Sequence, residues 1–204
     1  MIICVLNRKG GSGKTTTATI LAQLAARVPG ARVIAADTDA QQDLIDNFVK
    51  DRETGTTIAD VDVLPCDEGE VPSLNQLRGY DFAIVDTSNK APVAQLKKVV
   101  AYSDVVVLPF IVDKHAVYGM DDALGLIPKN KRFVLLGIVK TKPPQLDREL
   151  FTVVEENYPG VLQWPIYERV RKNVAKTEPF DSGLTYDELK HFTDVFDIIK
   201  GGKQ

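Results

Sequence analysis

Sulfur and aromatic residues are scarce in this chain of 204 residues, which holds two cysteines, two methionines and one tryptophan, with aromatics at 7%. Cys4 lies in an apolar run and Cys66 in a turn-rich stretch, a pair that excludes a disulfide framework and a Cys/His metal cluster. His115 and His191 have no partner at ligand spacing, and both read as structural or exposed. No apolar run is long enough to cross a bilayer, and no signal peptide precedes the first predicted strand. A cytoplasmic setting is the expectation. The net charge of −3 excludes a globally basic nucleic-acid binder but not a local basic patch, because the field depends on where charges sit. Hydrophobic residues at 44% and charged residues at 26% are ordinary for a globular chain. With no repeat, low-complexity tract or linker, residues 1–204 are expected to form one α/β domain.

What the chain does have is a dense signature near its start. The apolar run Ile2-Ile3-Cys4-Val5-Leu6 leads into Asn7-Arg8-Lys9-Gly10-Gly11-Ser12-Gly13-Lys14-Thr15-Thr16-Thr17, then into Ala18 to Ala25. That order predicts a buried strand, a glycine-rich loop and a helix, the context a phosphate-binding loop requires. Three glycines let successive backbone N–H groups turn toward a phosphate, and the helix N-terminus adds its own. In such a loop Gly10, Gly11, Ser12 and Gly13 cradle the phosphates and Lys14 reaches the β- and γ-phosphates. The Thr15 hydroxyl is a Mg²⁺ ligand, and Thr16 meets the α-phosphate. The strict pattern G-x-x-x-x-G-K-T asks for glycine where Arg8 stands, and a second lysine, Lys9, precedes the glycine pair. The plain alternative is a turn that binds nothing, with Lys9 merely solvated.

Lys9-Gly10-Gly11-Ser12-Gly13-Lys14-Thr15 resembles the deviant Walker A motif of the ParA/MinD ATPases. The resemblance implies that Lys9 crosses a dimer interface to touch the partner subunit's nucleotide, so that ATP produces a homodimer. It also implies an α/β fold of the P-loop NTPase type, a mostly parallel twisted sheet with helices on both faces, in a chain that binds ATP with Mg²⁺.

The strand predicted over Arg32–Ala36 runs into Asp37-Thr38-Asp39-Ala40-Gln41-Gln42, where the family has Asp-x-Asp-Pro-Gln. Ligands of parallel sheets gather at the carboxyl ends of strands. By the resemblance Asp39 positions or activates the attacking water and Asp37 lies close to the Mg²⁺ shell. Alternatively, the two acids cap a helix predicted over Gln41–Lys50. Tyr80 to Thr87 is an apolar run closed by Asp86, the form of a Walker B strand whose carboxylate holds Mg²⁺. Thr87-Ser88-Asn89 stands where the family reads Thr-Pro-Pro, in its second nucleotide-sensing switch.

Between these motifs, Val61–Pro65 reads as a short strand and Ser73–Arg78 as a short helix, without function. Further on, a helix over 91–102, a strand over Asp104–Pro109, a helix over Val112–Ile127 and a strand over Phe133–Val139 are predicted. A helix over 146–157, a short strand over Val161–Trp164 and a final helix over Tyr186–Lys200 complete the pattern. The resemblance places the segment before Gly119-Met120 at the dimer interface and Thr141 beside the nucleotide base.

Two clusters of cations stand out. Ala123 to Leu146 holds no acid but has Lys129, Lys131, Arg132, Lys140 and Lys142. Ile166 to Lys176 resembles the family's Ile-Pro-Arg-x-Val-Arg-x-x-x-Ala segment, with Tyr167 and Glu168 in place of Pro-Arg. Clustered cations suffice for backbone phosphates and carry no sequence code, although solvated lysines look the same. The resemblance assigns nonspecific DNA to Arg169, Arg171, Lys172 and Lys176. The tail carries Asp187, Glu188, Asp194 and Asp197, a poor face for anionic lipid, so no membrane contact is expected. Its apolar stripe Leu189, Phe192, Phe196 and Ile199 reads as core.

Together these imply a ParA-like partition ATPase, close to the small plasmid-partition kind without an N-terminal extension. Its ATP-dependent sandwich dimer would hold nonspecific DNA, becoming nucleoid-associated. Slow hydrolysis, stimulated by a small centromere-binding or adaptor protein, would release it. A ParA-like positioning ATPase for a protein cargo, or a P-loop ligase acting on a small molecule, would share the core.

Overall fold

The computed structural model describes residues 1–41, 43–49, 60–67, 70–112, 120–138, 145–164, 166, 168–175 and 179–201. Elements alternate along the chain as β1 (Ile2–Val5), α1 (Lys14–Ala26), β2 (Val33–Asp37), α2 (Asp43–Val49), β3 (Val61–Pro65) and α3 (Leu74–Leu77). They continue with β4 (Phe82–Asp86), α4 (Val93–Tyr102), β5 (Val105–Ile111), α5 (Met120–Leu124) and β6 (Phe133–Ile138). Then come α6 (Gln145–Asn157), β7 (Leu162–Trp164), α7 (Glu168–Ala175) and α8 (Tyr186–Lys200). The seven strands form one sheet in the order β3-β2-β4-β1-β5-β6-β7, and every pairing is parallel. The mostly parallel sheet expected from sequence is therefore wholly parallel over the described residues.

Alternation along the strands sorts side chains onto two helical layers. Ile3, Val5, Val33, Ala35, Val105 and Val107 face the layer of α1, α2, α7 and α8. Cys4, Leu6, Ile34, Ala36, Val106 and Leu108 face α3, α4, α5 and α6. Strands covered on both faces need apolar residues at successive positions, which is why they read as unbroken hydrophobic runs. Helix α1 is buried from Thr17 to Ala25, because the sheet lies on one side and α2, α7 and α8 pack on the others. The stripe on α8 joins the same core: Phe192 meets Trp164 edge-on at 4.9 Å and Phe180 at 5.2 Å. A reciprocal capping box, Thr185 with Glu188, starts that helix. Its apolar face is thus engaged in packing, and no helix of the described residues is long and apolar enough to cross a membrane.

Strand β5 runs two residues beyond the Pro109 at which sequence would end it. Proline lacks an N–H and is tolerated in a strand only where no ladder bond is lost. Leu6 donates to Val107 O, so Pro109, two residues on, turns its missing donor toward β1 where β1 has already ended. The Asn7 side chain takes the Pro109 carbonyl at 2.8 Å instead.

Two cations of the acid-free segment are engaged at helix ends. Lys131 Nζ donates to Ser103 O at 2.6 Å and Ala101 O at 3.0 Å, closing the end of α4. Arg132 donates to Ile199 O at 2.6 Å and also to Ile198 O, closing the end of α8. Cations at these carbonyl ends also meet the negative end of the helix dipole. Lys140 and Lys142 lie outside the described residues. His191 is structural, its Nε2 lying 2.8 Å from Gln163 O. His115 and the first part of the helix expected over Val112–Ile127 lie outside the described residues.

Gly137 shows how tightly the α6 layer is packed on β6. A Cβ there would lie 2.9 Å from the Phe151 ring and 3.2 Å from Val112 Cγ2. Gly137→Val is expected to destabilise the fold by about 1–3 kcal/mol through overpacking, read as a lower denaturant midpoint at unchanged slope. Unchanged stability would mean that this layer is looser than described.

Candidate functional site

The carboxyl ends of β1, β2, β4, β5 and β6 open on one side of the sheet, and the loop after β1 fills the middle of that edge. Gly11 and Gly13 adopt φ of 69° and 88°, a left-handed conformation that costs glycine little and other residues much. A Cβ on Gly13 would come 2.3 Å from Ile138 Cδ1, a side-chain end that could shift, so it is the φ that demands glycine. Gly13 is also the N-cap of α1 and supplies no side-chain cap, which leaves the first N–H groups of that helix available to the cleft. Asn7 holds the loop's entrance by accepting from Lys9 N at 2.8 Å while donating to Pro109 O.

Gly10 to Thr16 line a cleft of about 500 Å³ together with Asp39, Gln41, Asp43, Asn89, Lys90, Ile111, Ile138, Ile166 and Arg171. Its size lies in the range of small-molecule sites. Lys14 is 9% exposed, and burial holds its pKa below the ordinary lysine value while Asp86 and Asp39 pull it upward. Lys9 is exposed and lies outside the lining.

Asp86 ends β4 beneath the loop, 2% exposed, and its Oδ1 has no hydrogen-bond partner. Burial pushes its pKa up to about 7; a hydrogen bond from Thr15 and the charge of Lys14 oppose this, while Asp37 and Asp39 add to it. An unpaired carboxylate oxygen beside a hydroxyl, both hard donors, fits a Mg²⁺ ion that keeps water and phosphate ligands. Among the described residues no group of three or more His, Cys, Asp or Glu could hold a metal by itself, so such an ion would depend on the bound ligand.

The two acids after β2 divide between the alternatives raised by their sequence. Asp37 is fully buried; its Oδ1 accepts from Asp39 N at 3.0 Å and its Oδ2 from Leu44 N at 2.9 Å, so it shapes the turn and the start of α2. Asp39 accepts from Gln41 N at 3.2 Å and faces the cleft.

Loops around the P-loop are tied to it and to each other. Arg8 Nη1 donates to Ala91 O at 2.9 Å, and the Asn89 amide lies 3.2 Å from where a Cβ on Gly10 would stand. Thr87 Oγ1 donates to Val5 O at 2.8 Å, while Thr38 Oγ1 donates to Asp86 O at 3.1 Å and accepts from Ser88 N at 2.9 Å. Arg8, odd against the strict motif, thus links the P-loop to the segment after the Walker B strand.

Of the residues marked from sequence, the cleft gathers Gly10 to Thr16, with Lys14, Thr15 and Asp39, above Asp86 and Asp37. Thr141, Lys176 and the Arg169 side chain lie outside the described residues. Lys172 is exposed. Arg171, marked for a DNA face, is exposed and also lines the cleft. Sequence reasoning missed Asp43, Lys90 and the three isoleucines. Lys90 could have been found from its place after the Walker B strand, whereas Ile111, Ile138 and Ile166 look like any core residue.

Residues 3–185 match the family model of the CobQ/CobB/MinD/ParA nucleotide binding domain. The chain belongs to this family. Within it, the maintenance of carboxysome distribution protein A of Gloeobacter kilaueensis is 37% identical over 108 residues, a match spanning 53% of this chain and 48% of that protein. A Borrelia burgdorferi B31 structure described as a plasmid partition protein bound to AMPPNP superimposes with a TM-score of 0.76 at 20% identity, covering 98% of each chain. MinD in the MinC:MinD cell division complex of Aquifex aeolicus gives 0.75 at 15% identity, over all of this chain and 96% of that one. These similarities establish the P-loop NTPase fold of the ParA/MinD type.

The buried carboxylate gives a pH signature. Below the ordinary carboxyl range, near 3.8, Asp86 is protonated folded or unfolded; as pH rises through about 7 the folded chain must hold a buried anion and stability is lost. Asp86→Asn should therefore raise the melting temperature of the nucleotide-free chain at about pH 8 and raise it far less at about pH 4.5. An equal shift at both values, by calorimetry, would remove ionisation as the cause.

Proposed function

We propose that this chain is a ParA-like ATPase whose Mg·ATP-bound form is a sandwich dimer that holds nonspecific DNA and is released by hydrolysis. The observation that carries the proposal is the division of labour between two lysines. Lys14 is buried in the cleft, whereas Lys9 stands exposed and outside its lining, which supports a role for Lys9 toward a second subunit's nucleotide.

In the proposed reaction Asp39 positions a water for in-line attack on the γ-phosphorus; the bond to the β–γ bridging oxygen breaks, and ADP and phosphate result. Charge on the phosphoryl oxygens is met by Lys14, by the partner subunit's Lys9 and by the N–H groups of Gly10 to Thr16. Thr141 is the proposed neighbour of the base. Mg²⁺ would be held by Thr15 and Asp86 with Asp37 behind them, and it supplies positive charge against the phosphates. DNA is proposed to lie against Arg169, Arg171, Lys172 and Lys176, with phosphate contacts that give affinity without sequence preference. Residues 1–204 would act as one cytoplasmic domain, nucleoid-associated with ATP, and a small centromere-binding or adaptor protein would stimulate turnover. The fold's likeness to the plasmid partition protein supports a plasmid or chromosome as cargo.

A second reading, transport of a protein assembly by the same switch, is favoured by the 37% identity with the carboxysome distribution protein. Light scattering with ADP, with a nonhydrolysable ATP analogue, and with random duplex DNA added to each tests both. The expected result is a dimer with the analogue alone, lost in Lys9→Ala, and DNA retained only by that dimer. Monomers in every state would overturn the proposal in favour of a small-molecule enzyme. A dimer indifferent to DNA would favour the protein cargo.

A further inference from the structure

Two neighbouring side chains at the entrance to the P-loop reach in opposite directions. Strand β1 lies between β4 and β5 in the sheet. Asn7 donates to Pro109 O of β5 at 2.8 Å, and the half-buried Arg8 donates to Ala91 O, beyond the end of β4, at 2.9 Å. The loop is therefore braced on both sides. Glycine, which the strict motif asks for at this position, has no side chain to make the second bond. A hydrogen bond from a guanidinium is also stronger than one between neutral groups.

The turn that Arg8 holds runs from Ser88 to Ala91, and both of these ends are buried. Ser88 N donates to Thr38 Oγ1 at 2.9 Å, Ser88 Oγ accepts from Lys90 N at 3.2 Å, and Ser88 O accepts from Ala91 N at 3.3 Å. Ser88 and Asn89 stand where the family reads two prolines, which have no N–H to give, so this bonding belongs to the present chain. With its ends fixed, the turn leaves Asn89 and Lys90 on the lining of the cleft. The Asn89 amide lies over Gly10, 3.2 Å from where a Cβ there would stand. In the proposed site Thr16 takes the α-phosphate and Gly10 is at the other end of the loop, so the turn borders the terminal phosphate. Lys90 is exposed, and among the described residues its ammonium has no ion pair.

We infer, resting on the proposed nucleotide site, that Lys90 contacts the terminal phosphate of a bound nucleoside triphosphate and that Arg8 is the residue that positions it. Lys90 adds a cation from the chain's own subunit at a place where a diphosphate has no group to offer. Its effect is therefore on the preference for triphosphate over diphosphate. Arg8 acts only through the turn, by holding Ala91 and with it the neighbouring Lys90 against the P-loop.

Titration of the whole chain with N-methylanthraniloyl ADP and with the same label on a nonhydrolysable ATP analogue, both with Mg²⁺, tests this. The proteins are wild type, Lys90→Ala, Arg8→Ala, Arg8→Lys and the double variant of Lys90→Ala with Arg8→Ala. Loss of a charge-assisted contact should weaken triphosphate binding about tenfold in Lys90→Ala and leave diphosphate binding within about twofold of wild type. Arg8→Ala should weaken triphosphate binding about threefold, with partial recovery in Arg8→Lys, and the double variant should be no weaker than Lys90→Ala. Retained diphosphate binding also shows that each variant is folded. Equal losses for the two nucleotides in Lys90→Ala, or a triphosphate affinity within about twofold of wild type, would overturn the phosphate contact. Losses that add in the double variant would overturn the positioning role of Arg8. If wild type binds neither nucleotide, the site proposal falls and takes this inference along.

Discussion

A carboxylate at the end of a fully covered strand sets the terms for everything around it. Asp86 sits where β4 emerges between β2 and β1, with one oxygen unpartnered and its pKa pushed up to about 7 by burial. Burying an anion without a partner is expensive, and proteins tolerate it chiefly where a ligand or metal completes the site. The neighbours of Asp86 fit that explanation: a hydroxyl from Thr15, a buried ammonium from Lys14, and a loop whose N–H groups have no side-chain cap. Positive and negative groups are held close without being paired off, an arrangement that costs stability in the free chain and is relieved by a bound metal–phosphate complex.

The surrounding bonds explain how such a site keeps its shape. Asn7 anchors the P-loop to β5, Thr87 anchors the Walker B loop to β1, and Thr38 joins the loops after β2 and β4. Arg8 then ties the P-loop to Ala91. Contacts between loops that flank a nucleotide give a route by which phosphate occupancy alters distant surfaces. Helix α1 runs from the P-loop through the core, where it packs against α7 and α8.

Much of the architecture was legible because strand–loop–helix periodicity is local. Apolar runs ending in Asp37 and Asp86 gave the parallel strands and their functional ends, and the glycine pattern gave the P-loop. The apolar stripe Leu189, Phe192, Phe196 and Ile199 marked α8, which the structure starts with the Thr185–Glu188 capping box. What escaped notice depends on partners distant in sequence. Pro109 looked like a strand end because the missing N–H could not be weighed without knowing that β1 stops beside it. Lys131 and Arg132 looked like part of a basic surface because their helix-end acceptors lie about 30 and 67 residues away. Arg171 and Lys172 are both exposed and adjacent in sequence, yet only Arg171 lines the cleft, because a helix separates neighbours in direction. Asp37 and Asp39 show the same limit: one turn places both, but hydrogen bonds from Asp39 N and Leu44 N engage the first and leave the second facing the cleft.

Carbon-13 NMR of the aspartate side-chain carboxyls, followed against pH and assigned with Asp86→Asn, addresses the central constraint most directly. In the free chain one carboxyl should titrate near 7, absent from the variant. With Mg²⁺ and a nonhydrolysable ATP analogue at saturation, opposing positive charge should move that titration to about 4 or below. A carboxyl that titrates in the ordinary range in the free chain, or that stays near 7 with the complex bound, would contradict the account.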